Sequence, residues 1–466
     1  MKSASQGDAD WAPRLEGSTK PVYQAIADAI SDDLRNGRLA PGSRLPPQRR
    51  LAAALGVDLT TITRGYAEAR RRGLLSARVG QGSFVHDRPA LQPYGAPSGA
   101  PVDMTMNMPP PFQDEGLARR MWRGFAEVQE RQGLDLMLRY QDPGGVAEDR
   151  AAAAAWLADR IPGLEAGRTL VAPGVQAALV SILGVLTNPG DTVCTERLAY
   201  PGVRAAAAHL GLGVIGIEMD AEGILPAAFT RACRDIGPKA LCCTPTLQNP
   251  TTATMSLARR QEIVAVARRY RVAIVEDDAY GKLAEPSDPP LAALAPELAW
   301  HIVGLAKLAS PALRIAYVAA PDEAGAAQAA GRLRAVAGMA SPISAAVATR
   351  WFRSGTAAEV LNAIRREARA RRRIAAEVFG ARFLEPAEAF HLWLELPEPW
   401  TRSAFQAALS AHEVSVVPSD AFVTAGPPPE AVRIGLGAAA TRADLARALA
   451  AMAQVLGLEP RWGAHA

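Results

Sequence analysis

Three side chains between residues 274 and 317 have the types and the spacing to hold a phosphorylated aldehyde. Asp277 closes one apolar run, and Lys307 follows a second, Ile302-Val303, with Arg314 seven positions further on. A lysine amine condenses with an aldehyde where its site favours the neutral form. The aspartate would keep a proton on a ring nitrogen, and the arginine would clamp a phosphate bidentately.

The two apolar runs predict where these side chains meet. Short apolar runs of this kind are typical of buried parallel strands, and α/β folds bind ligands at the carboxyl ends of such strands. In isolation, a lysine after a strand is usually a solvated loop residue, and an aspartate at a strand end is usually a turn or cap residue. The rest of the chain must therefore decide between the two interpretations.

The composition indicates a multidomain intracellular protein. With 466 residues, nearly half of them apolar, the chain predicts two or three domains with substantial cores. Its four cysteines lack a paired metal spacing, so we expect reduced thiols in a cytoplasm and no metal site. The polar start of the chain predicts no signal peptide, and the longest apolar stretch, 177–186, is too short to cross a bilayer.

Positive charge is concentrated in the first fifth of the chain. Residues 18–88 hold 12 Lys and Arg against 6 Asp and Glu, whereas the whole chain has a net charge of +4. A basic segment beside a neutral remainder is typical of a nucleic-acid-binding module attached to a second domain.

The same segment has the pattern of a helix-turn-helix. Apolar residues recur every four positions from Val22 to Leu34, which predicts an amphipathic helix. A short helix ending at Gly56 and a second one capped by Asp58 follow, and in such a motif the second helix enters the major groove of DNA. Strand-like runs around Gly80-Gln81-Gly82 predict a wing.

These residues closely resemble the GntR-type winged helix, through the stretch 41–52, Thr60-Thr61 with Tyr66, Gly73-Leu74, and the stretch 80–85. The resemblance implies a double-stranded DNA operator as partner and a wing that reaches the minor groove. The residues expected to contact DNA are Arg44, Arg49, Thr60, Thr61, Arg64, Gln81 and Gly82. Leu59 and Thr63 depart from the polar and basic residues common in the family, so the bases that are read stay open.

After this segment the pattern changes to that of an α/β protein. Residues 88–102 are rich in Pro, Gly and Ala and predict a linker between a winged helix at 18–87 and a larger domain at 103–466. Residues 1–17 are expected to be disordered. In the larger domain, helical stretches alternate with short apolar strands, which predicts a mostly parallel sheet with helices on both faces. We expect a large lobe at about 138–325 and a smaller α+β lobe at about 326–466 joined by 103–137.

The larger domain resembles a fold-type I, aspartate-aminotransferase-like domain that binds pyridoxal 5′-phosphate (PLP). With the winged helix, the whole chain resembles a MocR-type regulator of the GntR family. The motifs that carry the resemblance are Tyr140-Gln141-Asp142-Pro143-Gly144-Gly145, Gly174-Val175-Gln176, Ala199-Tyr200-Pro201-Gly202, Asn249-Pro250-Thr251, Asp277 with Tyr280, Lys307, Arg314, and Val432-Arg433-Ile434.

The resemblance assigns each of these residues a role. Lys307 forms a Schiff base with PLP, Asp277 pairs with the ring nitrogen, and Arg314 holds the phosphate. The amides of Gly174, Val175 and Gln176 cradle the phosphate at the start of a helix. Further roles are stacking on the ring by Tyr200, hydrogen bonds to the ring hydroxyl from Asn249 and Tyr280, a phosphate contact in the partner subunit's site from Tyr140, and a carboxylate contact from Arg433.

Departures from the aminotransferase pattern bear on function. Pro173, Gly304 and Ala306 stand where the family commonly has hydroxyl side chains near the phosphate. A neutral hydrogen bond is worth about 1 kcal/mol, so their loss predicts a more weakly held, exchangeable cofactor. That property suits a sensor better than an enzyme.

Three functions remain open at this stage. The leading hypothesis is a cytoplasmic, nucleoid-associated homodimeric regulator that senses PLP or its aldimine with an amino compound. The second is a PLP-dependent aminotransferase with a fused DNA-binding domain. The third, a cofactor-free fold used only for dimerisation, is disfavoured because the lysine, aspartate and arginines all persist.

Overall fold

The computed structural model describes residues 11–13, 21–35, 38–39, 42–71, 74–78, 82–85, 101–285, 287–386 and 388–457. The chain divides into two compact units between residues 95 and 96. This division falls within the predicted linker, of which residues 88–100 lie outside the described ranges.

The N-terminal unit contains three helices and a two-stranded hairpin. Its elements are α1 (Val22–Arg35), α2 (Gln48–Leu55), α3 (Leu59–Arg71), β1 (Leu75–Arg78) and β2 (Gly82–Val85). Gly56 turns the chain between α2 and α3 at a φ of 62°, a left-handed conformation that glycine adopts without steric cost. The buried stripe of α1, including Ile26 and Ile30, packs with Ile62 and Tyr66 of α3.

Trp11 departs from the disorder expected for residues 1–17. Its side chain is buried in the core of the N-terminal unit, and its indole Nε1 donates to Asp33 Oδ2 at 2.8 Å. A large aromatic ring with a satisfied N–H stabilises such a core through the apolar area it removes from water. The polar neighbours of Trp11 in the sequence concealed this contact.

The second unit holds the remaining helices and strands. Its helices are α4 (Glu115–Arg131), α5 (Asp135–Leu138), α6 (Ala147–Leu157), α7 (Val175–Leu186), α8 (Pro201–His209), α9 (Pro226–Asp235), α10 (Leu257–Tyr270), α11 (Leu291–Leu294), α12 (Leu305–Leu308), α13 (Glu323–Ala337), α14 (Pro342–Arg353), α15 (Thr356–Phe379), α16 (Arg402–Ser410) and α17 (Arg442–Leu456). Its strands are β3 (Val102–Asp103), β4 (Thr169–Ala172), β5 (Thr192–Glu196), β6 (Gly213–Ile217), β7 (Met219–Asp220), β8 (Gly223–Ile224), β9 (Ala240–Cys243), β10 (Ala273–Asp277), β11 (Ala299–Gly304), β12 (Ala316–Ala319), β13 (His391–Glu395), β14 (Val414–Ser415), β15 (Val417–Pro418) and β16 (Ala431–Gly435).

A seven-stranded sheet forms the centre of this unit, in the order β4-β12-β11-β10-β9-β5-β6. All neighbouring strands are parallel except β12, which runs antiparallel to β11 and β4. Adjacent residues point to opposite faces, so Ile274 joins one apolar cluster and Val275 the other. Burial of both faces explains why these strands are continuous apolar runs, and the predicted mostly parallel sheet is confirmed.

A smaller lobe packs around a three-stranded antiparallel sheet, in the order β13-β16-β15. Strand β3 joins this lobe by pairing with β14. Helix α13 packs on the large sheet through Ala326, Ala329 and Leu333, and α14 contributes to the other large-lobe cluster. The large-lobe clusters therefore include helices beyond residue 325, because α13 packs on α7 and β4 and α14 packs on α4 and α6.

Candidate functional site

A cavity of about 390 Å³ lies at the carboxyl ends of the central strands. It is lined by ten of the predicted residues: Gly174, Val175, Gln176, Tyr200, Asn249, Asp277, Tyr280, Lys307, Arg314 and Arg433. The lining also includes Thr105, Met106, Asn107, Thr244, Ala279, Gly304, Ala306 and Ile315. Side chains from segments more than 300 residues apart in sequence thus face one space of the size of a small ligand.

Lys307 stands in the short helix α12, directly after β11. Burial, with a smaller contribution from the nearby Arg433 charge, lowers the pKa of its amine to about 8, and Asp277 opposes both effects. Its Nζ donates to the backbone carbonyl of Asn107. An amine with this pKa is substantially neutral in mildly alkaline solution, which is the form that attacks an aldehyde.

Asp277 ends β10 and faces the cavity. Its Oδ1 is buried and has no hydrogen-bond partner among the described residues. Burial, with smaller contributions from the neighbouring Asp278 and Glu196 charges, raises the pKa of this carboxyl to about 7. The site therefore contains a carboxyl oxygen without a hydrogen-bond partner. This is the state expected of a group that pairs with a protonated ring nitrogen.

Asp278 is held differently, although it is the next residue. It contacts Arg160 Nη2 at 2.9 Å and His301 Nε2 at 3.0 Å. Burial alone would raise the pKa of Asp278, but the Arg160 and His301 contacts hold it well below its ordinary value. Of these two adjacent acids, only Asp277 lines the cavity, whereas Asp278 is paired with Arg160.

Gly174 and Arg314 form the expected phosphate end. Gly174 has a φ of +94°, and a Cβ built on it would lie 3.5 Å from Arg314 Nη2. Arg314 itself is in the left-handed region, at a φ of 53°, a conformation that is costly for a side chain of this size and is often found at ligand sites. The backbone here leaves space next to a guanidinium group.

The amide of Gly174 is not free, contrary to the sequence prediction. It donates to the Ala172 carbonyl at 2.8 Å, because the chain turns tightly between β4 and α7. The amides of Val175 and Gln176 belong to the first turn of α7, where backbone donors have no partner within the helix. Two of the three predicted amides, those of Val175 and Gln176, are therefore left without a partner inside the helix.

Asn249 and Tyr280 line the cavity but contact protein groups. Asn249 Oδ1 accepts from Arg433 Nη1 at 2.9 Å, and the Tyr280 hydroxyl accepts from Asn107 Nδ2 at 2.7 Å. Tyr200 is 37% exposed and carries a hydroxyl whose pKa is raised by burial. Both residues act as acceptors in these contacts, so each keeps a donor for a ring hydroxyl, the Asn249 side-chain amide and the Tyr280 O–H.

Arg433 lies on β16 and is 7% exposed. Besides Asn249, it donates through Nη2 to the carbonyl of Thr105, and its guanidinium carbon lies 5.0 Å from the centre of the Phe422 ring. Two oxygen atoms of the protein therefore occupy the fork that a carboxylate would take.

The sequence prediction missed two groups of lining residues. Thr244 directly follows β9, so the rule that ligands bind at strand ends could have identified it. Thr105, Met106 and Asn107 follow the two-residue strand β3 and reach the site mainly through backbone carbonyls, for which the sequence carries no signature.

Tyr140 lies outside the cavity lining and is 95% exposed. Leu134, Met137 and Leu138 beside it are also exposed, at 69–75%. These four residues, here called the α5 surface, form a dense group of exposed apolar side chains around α5. Contiguous apolar surface of this kind commonly marks a protein interface.

The predicted DNA contacts lie in the N-terminal unit. Arg44, Arg49 and Thr60 are exposed, and Arg64 stacks over the Tyr23 ring at 4.5 Å. Asp58 Oδ1 accepts from the amide and hydroxyl of Thr60 and so caps α3. Thr61 is half-buried and Gly82 begins β2, whereas Gln81 lies outside the described residues.

Comparison with known families identifies both parts of the chain. The sequence model of the family described as "Aminotransferase class I and II" matches residues 118–452. The one described as "Bacterial regulatory proteins, gntR family" matches residues 22–85. The architecture expected from the sequence is thereby confirmed.

Two relatives illustrate the range of similar proteins. The uncharacterized HTH-type transcriptional regulator YdeF of Bacillus subtilis is 28% identical over 451 residues, 96% of each chain. The vitamin B6 salvage pathway transcriptional repressor PtsJ of Salmonella typhimurium is 27% identical over 300 residues, 63% of this chain and 66% of the repressor.

Solved structures with a similar fold are aminotransferases. Kynurenine aminotransferase of Pyrococcus horikoshii matches with a TM-score of 0.69 at 22% identity, over 77% of this chain and 91% of that one. The α-aminoadipate aminotransferase LysN of Thermus thermophilus gives 0.68 at 22% identity, over 84% and 98%. At this identity the likeness establishes the fold alone. No helix in the described part of the chain is long and apolar enough to span a membrane.

Proposed function

The chain belongs to the aminotransferase class I and II family, and from this membership we propose that it is a PLP-dependent transcriptional regulator. It binds double-stranded DNA through the N-terminal unit and PLP in the cavity around Lys307. The observation that carries this proposal is the conjunction of a GntR-type segment with a cavity in which Lys307, Asp277 and Arg314 face one space. Relatives named as HTH-type regulators, and PtsJ as a repressor of vitamin B6 salvage, support it.

The residues of the cavity fit PLP. The partnerless Asp277 oxygen suits a protonated ring nitrogen, and the space beside Gly174 and Arg314 suits a phosphate. When bound, PLP supplies an aldehyde that condenses with primary amines. Lys307 supplies the neutral amine, and Tyr200 lies where it can cover the ring.

The effector is PLP itself or an amino compound that joins it in the cavity. Arg433 favours a carboxylate, because its planar fork faces the same space as Lys307. A ligand shifts a conformational equilibrium only by binding one conformation more tightly than the other. Here the two conformations differ in whether protein groups occupy the positions that the ligand must take.

Weak retention of the cofactor favours a regulator over a working enzyme. A Cβ added at Gly304 would lie 2.6 Å from Val175 Cγ2, so this position has no room for the hydroxyl residue common in aminotransferases. The second candidate, a PLP-dependent aminotransferase with a fused DNA-binding domain, is favoured by the survival of Lys307, Asp277 and Arg433 together. Multiple turnovers of transamination at enzyme-like rates would favour that candidate.

We further propose a homodimer that resides in the cytoplasm and associates with the nucleoid through DNA. The α5 surface supports the dimer, because four large apolar side chains are exposed there. A reducing compartment agrees with the four free cysteines, all of them buried. Two winged helices per dimer would read a two-fold symmetric operator.

The decisive experiment compares two buried lysines. Full-length protein is tested for the absorbance band of lysine-bound PLP and for binding to selected genomic DNA fragments, with and without PLP. We expect Lys307→Ala to lose the band and the response of DNA binding to PLP, while it keeps DNA binding itself.

Lys282→Ala provides the matched control. Its amine is also largely buried and has a lowered pKa, but it donates to Asp159 outside the cavity. This variant should keep both the band and the response. An unchanged band in Lys307→Ala, or DNA binding that ignores PLP in the wild type, would refute the proposal.

A further inference from the structure

Residues 104–108, here called the strap, accept hydrogen bonds from the two basic side chains that a ligand would contact. The Thr105 carbonyl accepts from Arg433, and the Asn107 carbonyl accepts from Lys307. The Asn107 side chain also donates to the Tyr280 hydroxyl at 2.7 Å. A single short segment of backbone thus contacts the amine, the carboxylate-binding fork and a ring-side hydroxyl.

These contacts compete with the ligands of the proposed function. Condensation of the Lys307 amine with an aldehyde releases both of its N–H hydrogens as water, so its hydrogen bond to the Asn107 carbonyl is lost. A carboxylate that pairs with Arg433 competes with the Thr105 carbonyl and Asn249 Oδ1 for the N–H groups of the guanidinium. Each event removes one of the hydrogen bonds that hold the strap in the cavity.

The strap is anchored at its first residue, so we expect its middle to move while its start stays in place. Met104 is fully buried, its amide donates to Ser415, and its carbonyl accepts from the Gly435 amide. Met106, by contrast, is 58% exposed. Only β3, a pairing of two residues with β14, separates the strap from the segment that leads to the winged helix.

We propose that the strap is the output element of the site: it holds Lys307 and Arg433, and ligand binding expels it from the cavity and disturbs β3. This inference rests on the proposed function, since it assumes that PLP, with or without an amino acid, enters the cavity. PLP engages the Lys307 end of the strap, and a carboxylate engages the Thr105 end, so the two together expel it more completely than PLP alone.

The test uses hydrogen–deuterium exchange of the full-length protein, measured by mass spectrometry on peptides that cover 101–110. We expect faster exchange in these peptides with PLP, and faster still with PLP and a mixture of amino acids. Slower or unchanged exchange in protein that shows the PLP absorbance band would overturn the strap alone. Absence of the band would overturn the proposed function and the strap with it.

A variant gives a second, independent readout. Asn107→Ala removes the tie to Tyr280, so the strap competes less well and PLP should bind about three- to tenfold more tightly, the range expected for one hydrogen bond. Weaker binding of PLP by this variant would show that Asn107 serves the ligand rather than the strap, and would overturn the inference. Ser415→Ala is the control, because it alters an exposed side chain of β14 that faces β3 without entering the cavity.

Discussion

At the scale of single residues, Asp277 is the group in the site whose burial as a carboxylate destabilises the fold. The buried Oδ1 of Asp277 has no partner in the described residues, whereas the neighbouring Asp278 hydrogen-bonds to Arg160 and His301. A carboxyl left in this state is destabilising when ionised, because burial and like charges oppose its negative charge. A ligand with a positive ring nitrogen removes that cost and so gains affinity from it.

This cost predicts a pH-dependent gain in stability for Asp277→Asn in cofactor-free protein. The pKa of the native carboxyl is raised from 3.8 to about 7, so the folded state holds a proton that the unfolded state has released. Wild-type stability therefore falls as the pH rises from about 4 to 7, relative to the variant, and the difference levels off above about pH 8. We expect on the order of 4 kcal/mol at pH 8, and almost none at pH 3.5, in urea unfolding of both proteins.

The outcome with cofactor should be reversed. Asparagine cannot pair with a protonated ring nitrogen as a charge, so PLP should stabilise wild type more than Asp277→Asn. Asp135→Asn, which removes an exposed carboxylate paired with Arg139, should leave the pH profile unchanged, because exposed ion pairs contribute little. A variant no more stable than wild type at pH 8 would mean that the Asp277 charge is already compensated.

At the scale of elements, the contact between β11 and α7 limits how tightly the phosphate can be held. Gly304 ends β11, Val175 begins α7, and the valine methyl occupies the place of the missing side chain. Gly304→Ser alone should lower the free energy of unfolding by about 1–3 kcal/mol through overpacking.

Gly304→Ser combined with Val175→Ala should recover the packing and add a hydroxyl at the cavity wall. One hydrogen bond to an anion predicts a dissociation constant for PLP about tenfold lower than that of wild type, measured by equilibrium dialysis. Val175→Ala alone is the control for the loss of the valine methyls. No gain in affinity from the double variant would show that this wall does not face the phosphate.

The individual strands and motifs also show how much of the fold and of the site could be predicted from the sequence. Apolar runs predicted β5, β6, β9, β10 and β11, because strands buried on both faces need apolar residues at every position. The motifs identified ten residues that the structure places around one cavity. The direction of β12 was not predictable, since an apolar run carries no information about whether its neighbour is parallel.

What escaped prediction depends on backbone atoms and on exposed surfaces. The strap contacts Lys307 and Arg433 through carbonyl groups, which every residue possesses. The Gly174 amide is consumed by a tight turn whose geometry depends on the packing of β4 against α7. The engagement of Asn249 by Arg433 likewise reflects tertiary proximity that spacing in sequence does not encode.

At the scale of the whole molecule, Tyr140 tests the assembly. It was expected to reach the phosphate in the partner subunit's site, and it lies on the exposed α5 surface, outside the cavity of its own chain. Tyr140→Phe removes only the hydroxyl, so we expect PLP to bind about tenfold more weakly without loss of the dimer.

Mixed dimers decide which site that hydroxyl serves. Subunits with Tyr140→Phe and subunits with Lys307→Ala are co-expressed with different affinity tags and purified as pairs. If Tyr140 acts across the dimer, the Tyr140→Phe subunit keeps its own Lys307 and receives an intact tyrosine from its partner, so one site in each pair is native. We expect half the wild-type amount of bound PLP, with wild-type affinity, in a titration of the absorbance band. If Tyr140 acts within its own chain, neither site of the pair is native, and the affinity stays at the level of the Tyr140→Phe homodimer.

Recovery of no mixed pairs, together with a monomeric mass for the wild type in solution, would instead contradict the homodimer. The two-fold symmetric operator would then also be contradicted, because a single winged helix reads only one half-site.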